Sequence, residues 1–365
     1  MRTRGTAAEV AGAAMLALVL TACGAGGSAS RPDTGPGADS HKGAGKPVML
    51  HVDSTVRKTT WTSGNATHRL TLAPERLARG TAADLDGVRL DGDLRGMIPY
   101  DLTVRYTNTG AKQLTRLGPQ DDFTVTLADG TPGKAVALWN MNTLATRSSS
   151  SIPDGCDKAG PASVAPHATV TVCQLVMLPG GHEPATVAYS DDNGGTLLWK
   201  VGDGKGDGDG LLPAGTTAET SWDDDTTEGI AVPIRATPRS VRAGSLADLR
   251  GYDLGDTSKN TVPWFVTITY RNAGEQTLLP VMGDKVGVRS AGGHEARPLA
   301  LLDLSFSGAG DGIDQCRGKI PNTRLKPDST LTLCTIHLLP KGDRPAMVSF
   351  EGEGKSVKPV LWRAG

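Results

Sequence analysis

The chain of 365 residues has few aromatic side chains, no excess of either charge and no familiar catalytic signature. Aromatic residues make up 4% of the sequence, whereas Gly 47 and Pro 23 are many for this length. This balance favours short strands joined by tight turns over long helices. Lys+Arg 38 against Asp+Glu 39 leaves a formal net charge of -1, so no basic field is present to hold nucleic acid.

Motifs for hydrolysis, phosphoryl transfer and metal binding are also missing. The chain contains no Gly-x-Ser-x-Gly, no Gly-x-x-x-x-Gly-Lys-Ser/Thr, no Ser-x-x-Lys and no Cys-x-x-Cys. The His-Glu pairs at His182 and His294 do not complete His-Glu-x-x-His, because Thr186 and Pro298 stand where the second histidine is needed. We therefore expect surface turns at these pairs, no enzymatic activity and no cofactor.

The N-terminus has an apolar run that is too short to cross a bilayer as a stable helix. Residues 10–20 form this run after two arginines, and Leu20-Thr21-Ala22-Cys23 follows. The arrangement is similar to the lipobox of bacterial lipoproteins, in which the cysteine is lipidated. The similarity implies a signal peptide at 1–22, a diacylglycerol anchor on Cys23 in the bilayer, and a place on the extracytoplasmic face of the cell membrane. A secretory signal with a chance cysteine is the alternative.

Residues 23–46 are mostly Gly, Ala, Ser, Pro, Asp and Lys. They lack large apolar side chains that could be buried, so they predict a disordered tether between the lipid and the folded part.

The remainder of the chain is an internal duplication. The stretch 98–110 returns at 262–274, shifted by 164 positions, and in both copies an aromatic or branched apolar residue fills every second place. This period predicts a half-buried β-strand, and the closing Asn-x-Gly predicts a turn with positive φ. Further matches at a nearly constant shift cover 60–202, the first repeat, and 221–365, the second repeat. They predict domains at 47–202 and 221–365, joined by a Gly/Asp-rich linker at 203–220.

Within each repeat the apolar runs are short and bounded by turn residues, which predicts an all-β fold of two tandem immunoglobulin-like β-sandwich domains. Asp129-Gly130 and Gly292-Gly293 are predicted hairpin turns. Four tryptophans recur at matching positions and are predicted to be core residues: Trp61, Trp199, Trp222 and Trp362. Trp139 has no counterpart, so it is either a core residue or a binding aromatic.

The strand that holds the second cysteine of each repeat changes its apolar face along its length. Val170 and Val172 alternate on one parity, then Leu175 and Met177 alternate on the other, and the second repeat does the same. Such a strand needs either a bulge or burial on both faces. We expect a bulge near the cysteine.

Apart from Cys23, the cysteines fall two in each repeat, 17 and 18 positions apart. Four cysteines allow three pairings. The duplication favours Cys156–Cys173 and Cys316–Cys334, each stabilising by roughly 3 kcal/mol in the chain-entropy model. Zinc is the weaker alternative, since only His337 lies near a cysteine and the first repeat has no counterpart for it.

Each repeat thus has an aromatic strand closed by Asn-x-Gly, a Pro-x-x-Thr rise at Pro166 or Pro327, a Leu-Pro break and a final Leu-Trp strand. Together these features resemble an Ig-like domain of Gram-positive lipoproteins, in a family that includes immunoprotective extracellular antigen-like proteins. The composition is similar to that of actinobacterial exported proteins. The resemblance implies the fold and the location on the extracytoplasmic face of the cell membrane. It transfers no functional residue.

The repeats differ most in the loops before their first cysteines, 147–155 and 305–315. Because binding residues often lie on loops over a stiff scaffold, we expect a non-enzymatic module that binds an unknown envelope protein or ligand. The candidate binding residues are Arg147, Ser149, Asp154, Asp311 and Asp314. A structural spacer and a metal-dependent enzyme are the alternatives.

The run from Asp203 to Asp209 is similar to a calcium loop, but Lys205 and Ala214 occupy two ligand positions, so a linker explains it better. The acidic turn 223–225 leaves a weak cation site open.

Overall fold

The structure is a computed structural model, and the residues that it describes lie within the unit Ala44–Gly365. The described residues are 47–63, 66–81, 85, 90, 92–115, 122–136, 163–191, 195–206, 210–223, 229–250, 252, 254, 258–300, 316, 324–354 and 357–365. They form antiparallel strands and short 3₁₀ turns, which confirms the all-β prediction. None of their helical segments has the length and apolar character needed to cross a membrane. The predicted boundaries at 202 and 221 stay predictions.

The first repeat and the residues that precede it from Val48 form two sheets that share one core. The larger sheet has the order β1 (Val48–Leu50), β3 (Ala66–Arg79), β4 (Ile98–Asn108), β9 (Thr169–Leu178) and β7 (Lys134–Val136), and β2 (Arg57–Ser63) also pairs with β3. The smaller sheet has the order β11 (Gly195–Lys200), β10 (Pro184–Asp191) and β6 (Phe123–Leu127). Strands β5 (Leu114–Thr115) and β8 (Ser163–Val164) pair separately. Side chains of both sheets meet in one apolar cluster, as in a β-sandwich.

The second repeat follows the same plan, with fewer strands among its described residues. One sheet has the order β12 (Ala218–Trp222), β13 (Val232–Ala243), β14 (Thr261–Asn272) and β17 (Thr330–Pro340). The other has the order β16 (Glu295–Ala296), β15 (Val286–Ser290), β18 (Pro345–Phe350) and β19 (Val360–Arg363). Strands β15 and β16 form the hairpin predicted at Gly292-Gly293. A second apolar cluster lies between the two sheets.

The recurring tryptophans are core residues in both repeats, as predicted. Trp199 and Trp362 are fully buried, and each indole N–H donates to a backbone carbonyl, that of Thr55 at 2.7 Å and that of Thr216 at 2.8 Å. The equivalent hydrogen bonds fix the last strand of each repeat against the chain that precedes β2 or β12. Trp139 lies outside the described residues.

The predicted bulge near the second cysteine is wrong, because β9 and β17 keep an unbroken register through Cys173 and Cys334. Both faces of these strands are buried instead. In the first repeat Leu175 and Met177 pack under Leu85 on the outer face of the sheet, and in the second repeat Ile336 packs under Leu249, Phe265 and Cys316. Among the described residues, register shifts lie elsewhere. One follows Pro74 in β3 and one follows Pro238 in β13, and the β6–β10 and β15–β18 pairs have one each.

The Asn-x-Gly turns form as predicted but for a different reason. Neither Asn108 nor Asn272 has a positive φ. Each asparagine is fully buried, and its side chain makes hydrogen bonds to backbone groups at the turn. The Asn272 amide donates to the carbonyls of Gln276 at 2.6 Å and Leu325 at 3.2 Å, and its oxygen accepts from Gly274 N at 2.9 Å. Asn108 makes the equivalent contacts, so each asparagine satisfies buried and part-buried backbone groups around its turn.

Candidate functional site

The five side chains predicted to bind a partner lie outside the described residues: Arg147, Ser149, Asp154, Asp311 and Asp314. Cys23 and Cys156 also lie outside them, so the lipid anchor and the Cys156–Cys173 bridge stay predictions. The described framework shows only where the two loops are attached. The first leaves β7 at Val136 and returns at β8, and the second lies between Ala300 and Cys316.

Cys316 and Cys334 form a disulfide that fixes the end of the second loop. Their Cα atoms are 5.3 Å apart, and both residues are buried against Phe265 and Ile336. Cys334 lies opposite Thr267 of β14, as Cys173 lies opposite Thr103 of β4. The residue that follows loop 305–315 is therefore held covalently on the outer face of a sheet.

The weaker zinc alternative finds no support around His337. This residue is fully buried, its Nδ1–H donates to Ala296 O at 3.1 Å, and Thr335 Oγ1 lies 2.9 Å from Nε2. Burial lowers the pKa of His337 from 6.5 to about 4, against a smaller opposing effect of backbone hydrogen bonds. A carbonyl only accepts, so the neutral ring carries its proton on Nδ1 and accepts from Thr335 at Nε2. Within the described ranges no group of three or more His, Cys, Asp or Glu could hold a metal ion.

A Ser-His-Asp cluster does exist at the β15–β16 hairpin. The Asp343 carboxylate is buried, with Oδ2 2.6 Å from Ser290 Oγ and 2.8 Å from His294 Nδ1. Its Oδ1 accepts from the backbone N–H groups of Gly292 at 3.0 Å and Arg344 at 2.8 Å. The carboxylate thus accepts four hydrogen bonds and ties the hairpin to the turn between β17 and β18.

The geometry of this cluster is not that of a nucleophilic triad. In a triad the serine donates to one histidine nitrogen, and the carboxylate accepts from the other. Here Ser290 donates to Asp343 itself, and its Oγ is 3.5 Å from the same Nδ1 that faces the carboxylate. Ser290 also has no exposed surface for a substrate to reach. The cluster is a structural clamp.

The clamp borders the direct contact between the two repeats, which we call the junction. Thr126 Oγ1 of β6 donates to Ala291 O at 2.8 Å, and Thr196 N of β11 donates to Lys341 O at 2.7 Å. Arg289 of β15 donates to Thr131 Oγ1 at 2.8 Å and pairs with Asp129 at 3.3 Å. The hairpin predicted at Asp129-Gly130 therefore meets the one predicted at Gly292-Gly293.

Glycines permit this close approach. A Cβ on Gly130 would lie 2.2 Å from Ser290 O, and one on Gly342 would lie 2.2 Å from Thr196 O. Both have φ in the left-handed region, at 78° and 88°. Each position therefore requires glycine for its backbone conformation and for the space.

The linker residues similar to a calcium loop form a turn in the part that the structure describes. Asp203 Oδ1 accepts from Lys205 N at 2.8 Å, so this carboxylate closes its own turn. Asp207, Asp209 and the turn residues after Asp223 lie outside the described residues. An open groove of about 540 Å³ lies nearby, between β12 and the segment 357–361.

Sequence reasoning missed the clamp and the junction. The sequence predicts a surface turn at His294, and no pattern links this residue to Asp343, which is 49 positions away. The Gly-Gly before His294 was the available signal, since paired glycines at a hairpin tip permit backbone contacts.

Comparison with protein-family models, curated proteins and solved structures finds no match to this chain.

Proposed function

We propose that the protein is a lipid-anchored binding module on the extracytoplasmic face of the cell membrane, without catalytic activity of its own. The observation that carries the proposal is the fixed end of loop 305–315. A variable loop gains affinity when its ends are held in place, because less conformational entropy is lost on binding. The Cys316–Cys334 bridge on a buried sheet face meets this requirement at the end that follows the loop.

The Ser290 clamp supports the non-enzymatic part of the proposal. It is the arrangement that most resembles catalytic machinery among the described residues, and its hydrogen bonds serve the hairpin instead. The likeness to Ig-like domains of Gram-positive lipoproteins supports the proposed location at the cell membrane.

The proposed membrane location is tested with the Cys23→Ala variant. We expect the variant to leave the membrane fraction and appear in the soluble exported fraction, since the acyl chains supply the membrane affinity. Retention at the wild-type level would contradict the anchor.

Binding is tested by capture from detergent-solubilised envelope, with the anchored protein as bait. We expect one specific partner or ligand that is eluted by excess free protein. Repeated absence of any specific partner favours the second candidate, a structural spacer. The junction favours that candidate in turn, because Arg289 and the backbone contacts hold the repeats directly against each other.

A further inference from the structure

The two repeats differ at one sheet edge. In the first repeat, β3 pairs with β2 along one half and with β1 along the other, where Val48–Leu50 lie opposite Leu77–Arg79. In the second repeat, β13 pairs with β12 only as far as Ala236. No strand among the described residues pairs with that side of residues 240–243, which we call the open edge.

The backbone groups of the open edge point away from the sheet. Gly244 N donates to Pro263 O of β14 at 2.8 Å, as Gly80 N donates to Pro99 O in the first repeat at 2.9 Å. Because backbone direction alternates along a strand, the N–H and C=O groups of Val241 and Ala243 face outward. In the first repeat the equivalent groups face β1. An edge of this kind is a template for another strand.

Burial differs in the same way. Under β1, Leu77 and Ala78 have no exposed surface and Arg79 is partly buried. Of the equivalent residues of the second repeat, Arg242 and Ala243 are exposed. Val241 is only partly buried against the core of the second repeat. In the part of the chain that the structure describes, the second repeat therefore has the site for a strand such as β1 and no strand in it.

The linker explains why the strand is missing. The segment that precedes β12 is rich in glycine, and Gly204, Gly206 and Gly210 have φ of 78°, 59° and 67°, which a strand cannot use. The chain then follows β19, where Leu212 N donates to Leu361 O at 3.0 Å. Connection to the first repeat thus removes the segment that would cover the open edge.

We propose that the open edge binds an extended peptide of a partner protein, antiparallel to β13, with an apolar side chain opposite Val241 and a carboxylate opposite Arg242. The backbone register is that of Val48–Leu50 on β3. The apolar preference follows from Leu50, which lies opposite Leu77 and packs against the first core. This is strand addition to a sheet edge, in which backbone hydrogen bonds give affinity and alternate side chains give specificity.

The positive charges beside the open edge favour an acidic residue in the peptide. Arg242 is exposed and Arg239 lies nearby on the same strand, where its Nε donates to Thr269 Oγ1 at 3.1 Å. In the described ranges neither arginine pairs with a carboxylate of the chain. An acidic residue at the central position of the peptide would lie directly across from Arg242, where opposite charges on facing strands are favourable.

The test is residue-level hydrogen exchange on the full chain, with a blocked synthetic peptide of residues 46–52 that carries Met49→Glu. In the free protein we expect fast exchange at Val241 and Ala243 and slow exchange at Leu77 and Arg79, because only the second pair has a strand partner. Saturating peptide should slow exchange at Val241 and Ala243 roughly tenfold or more. A matched peptide with Met49→Lys should protect them less.

Ala243→Pro is the blocking variant, because proline removes an outward N–H at an exposed edge position without breaking the ladder with β14. Ala243→Thr is its control and keeps the N–H. We expect the peptide to protect Val241 in the control and not in the proline variant. Unchanged protection at Ile268, in the β14–β17 ladder of the same repeat, shows that the proline variant is folded.

Three results would overturn the proposal. Slow exchange at Val241 and Ala243 in the free, dilute protein means that the chain already covers the edge. Protection that rises with protein concentration alone means that a second copy occupies it. Absence of protection by the Met49→Glu peptide in the wild-type chain means that the edge does not accept strands. None of these outcomes depends on the loops proposed for envelope binding.

Discussion

The buried His337 makes the stability of the protein depend on pH in a predictable way. Burial lowers the pKa of this residue to about 4 in the folded protein, from 6.5. Between these values the unfolded chain binds a proton that the folded chain does not, so stability falls as pH falls from 6.5 to 4. At pH 4.5 the two pKa values correspond to a loss of about 2.5 kcal/mol relative to neutral pH.

The variant that removes this effect is His337→Val, because Val176 is the equivalent buried residue of β9. The change leaves the carbonyl of Ala296 without its donor, so we expect lower stability at pH 8, by about 1–3 kcal/mol. The prediction concerns how steeply the free energy of unfolding falls as the pH falls. Between pH 8 and pH 4.5 the variant should lose about 2.5 kcal/mol less than the wild type in urea unfolding, because other titrating groups are common to both proteins. Parallel stability curves would refute the assignment of a neutral buried imidazole.

Three further predictions concern the framework and are measured as free energies of unfolding. Gly342→Ala should destabilise by at least about 1 kcal/mol more than Gly181→Ala, since both have a φ of 88° but only Gly342 meets a carbonyl across the junction; equal losses would mean that the junction opens freely. Tyr189→Phe should cost about 1 kcal/mol and Tyr106→Phe almost nothing, because only the Tyr189 hydroxyl has a described partner, a carbonyl at 3.0 Å; the reverse order would contradict this. Asn272→Ala should cost about 2–4 kcal/mol, since the Gln276 carbonyl and the Gly274 N–H lose their side-chain partner, whereas Leu325 O keeps the hydrogen bond from Leu278 N; a loss below about 1 kcal/mol would show that water replaces the amide.

The regular parts of the fold could be predicted from local patterns. The alternation in β4 and β14, the glycine hairpins and the paired tryptophans each follow from neighbouring residues, and the duplication doubles every signal. A duplicated pattern also shows which positions are structural, as with Trp199 and Trp362, which have the same hydrogen bond in both repeats.

Features that depend on distant residues could not be predicted. The change of face in β9 and β17 allowed a bulge or two-sided burial, and the choice depends on whether a segment such as that of Leu85 or Leu249 lies across the sheet. The Asp343 clamp joins two turns that are far apart in sequence. The open edge is visible only when the pairing partners of β3 and β13 are compared.

The central claim is that binding specificity lies in the loops before the first cysteines, on a framework without catalytic activity. The most direct measurement is a loop graft in which residues 305–315 replace residues 147–155, followed by quantitative capture of envelope partners. We predict a nearly unchanged thermal midpoint, because exposed loops contribute little to stability, together with an altered set of captured partners. The claim is contradicted if the folded graft captures the same partners in the same amounts, because the binding surface then lies elsewhere.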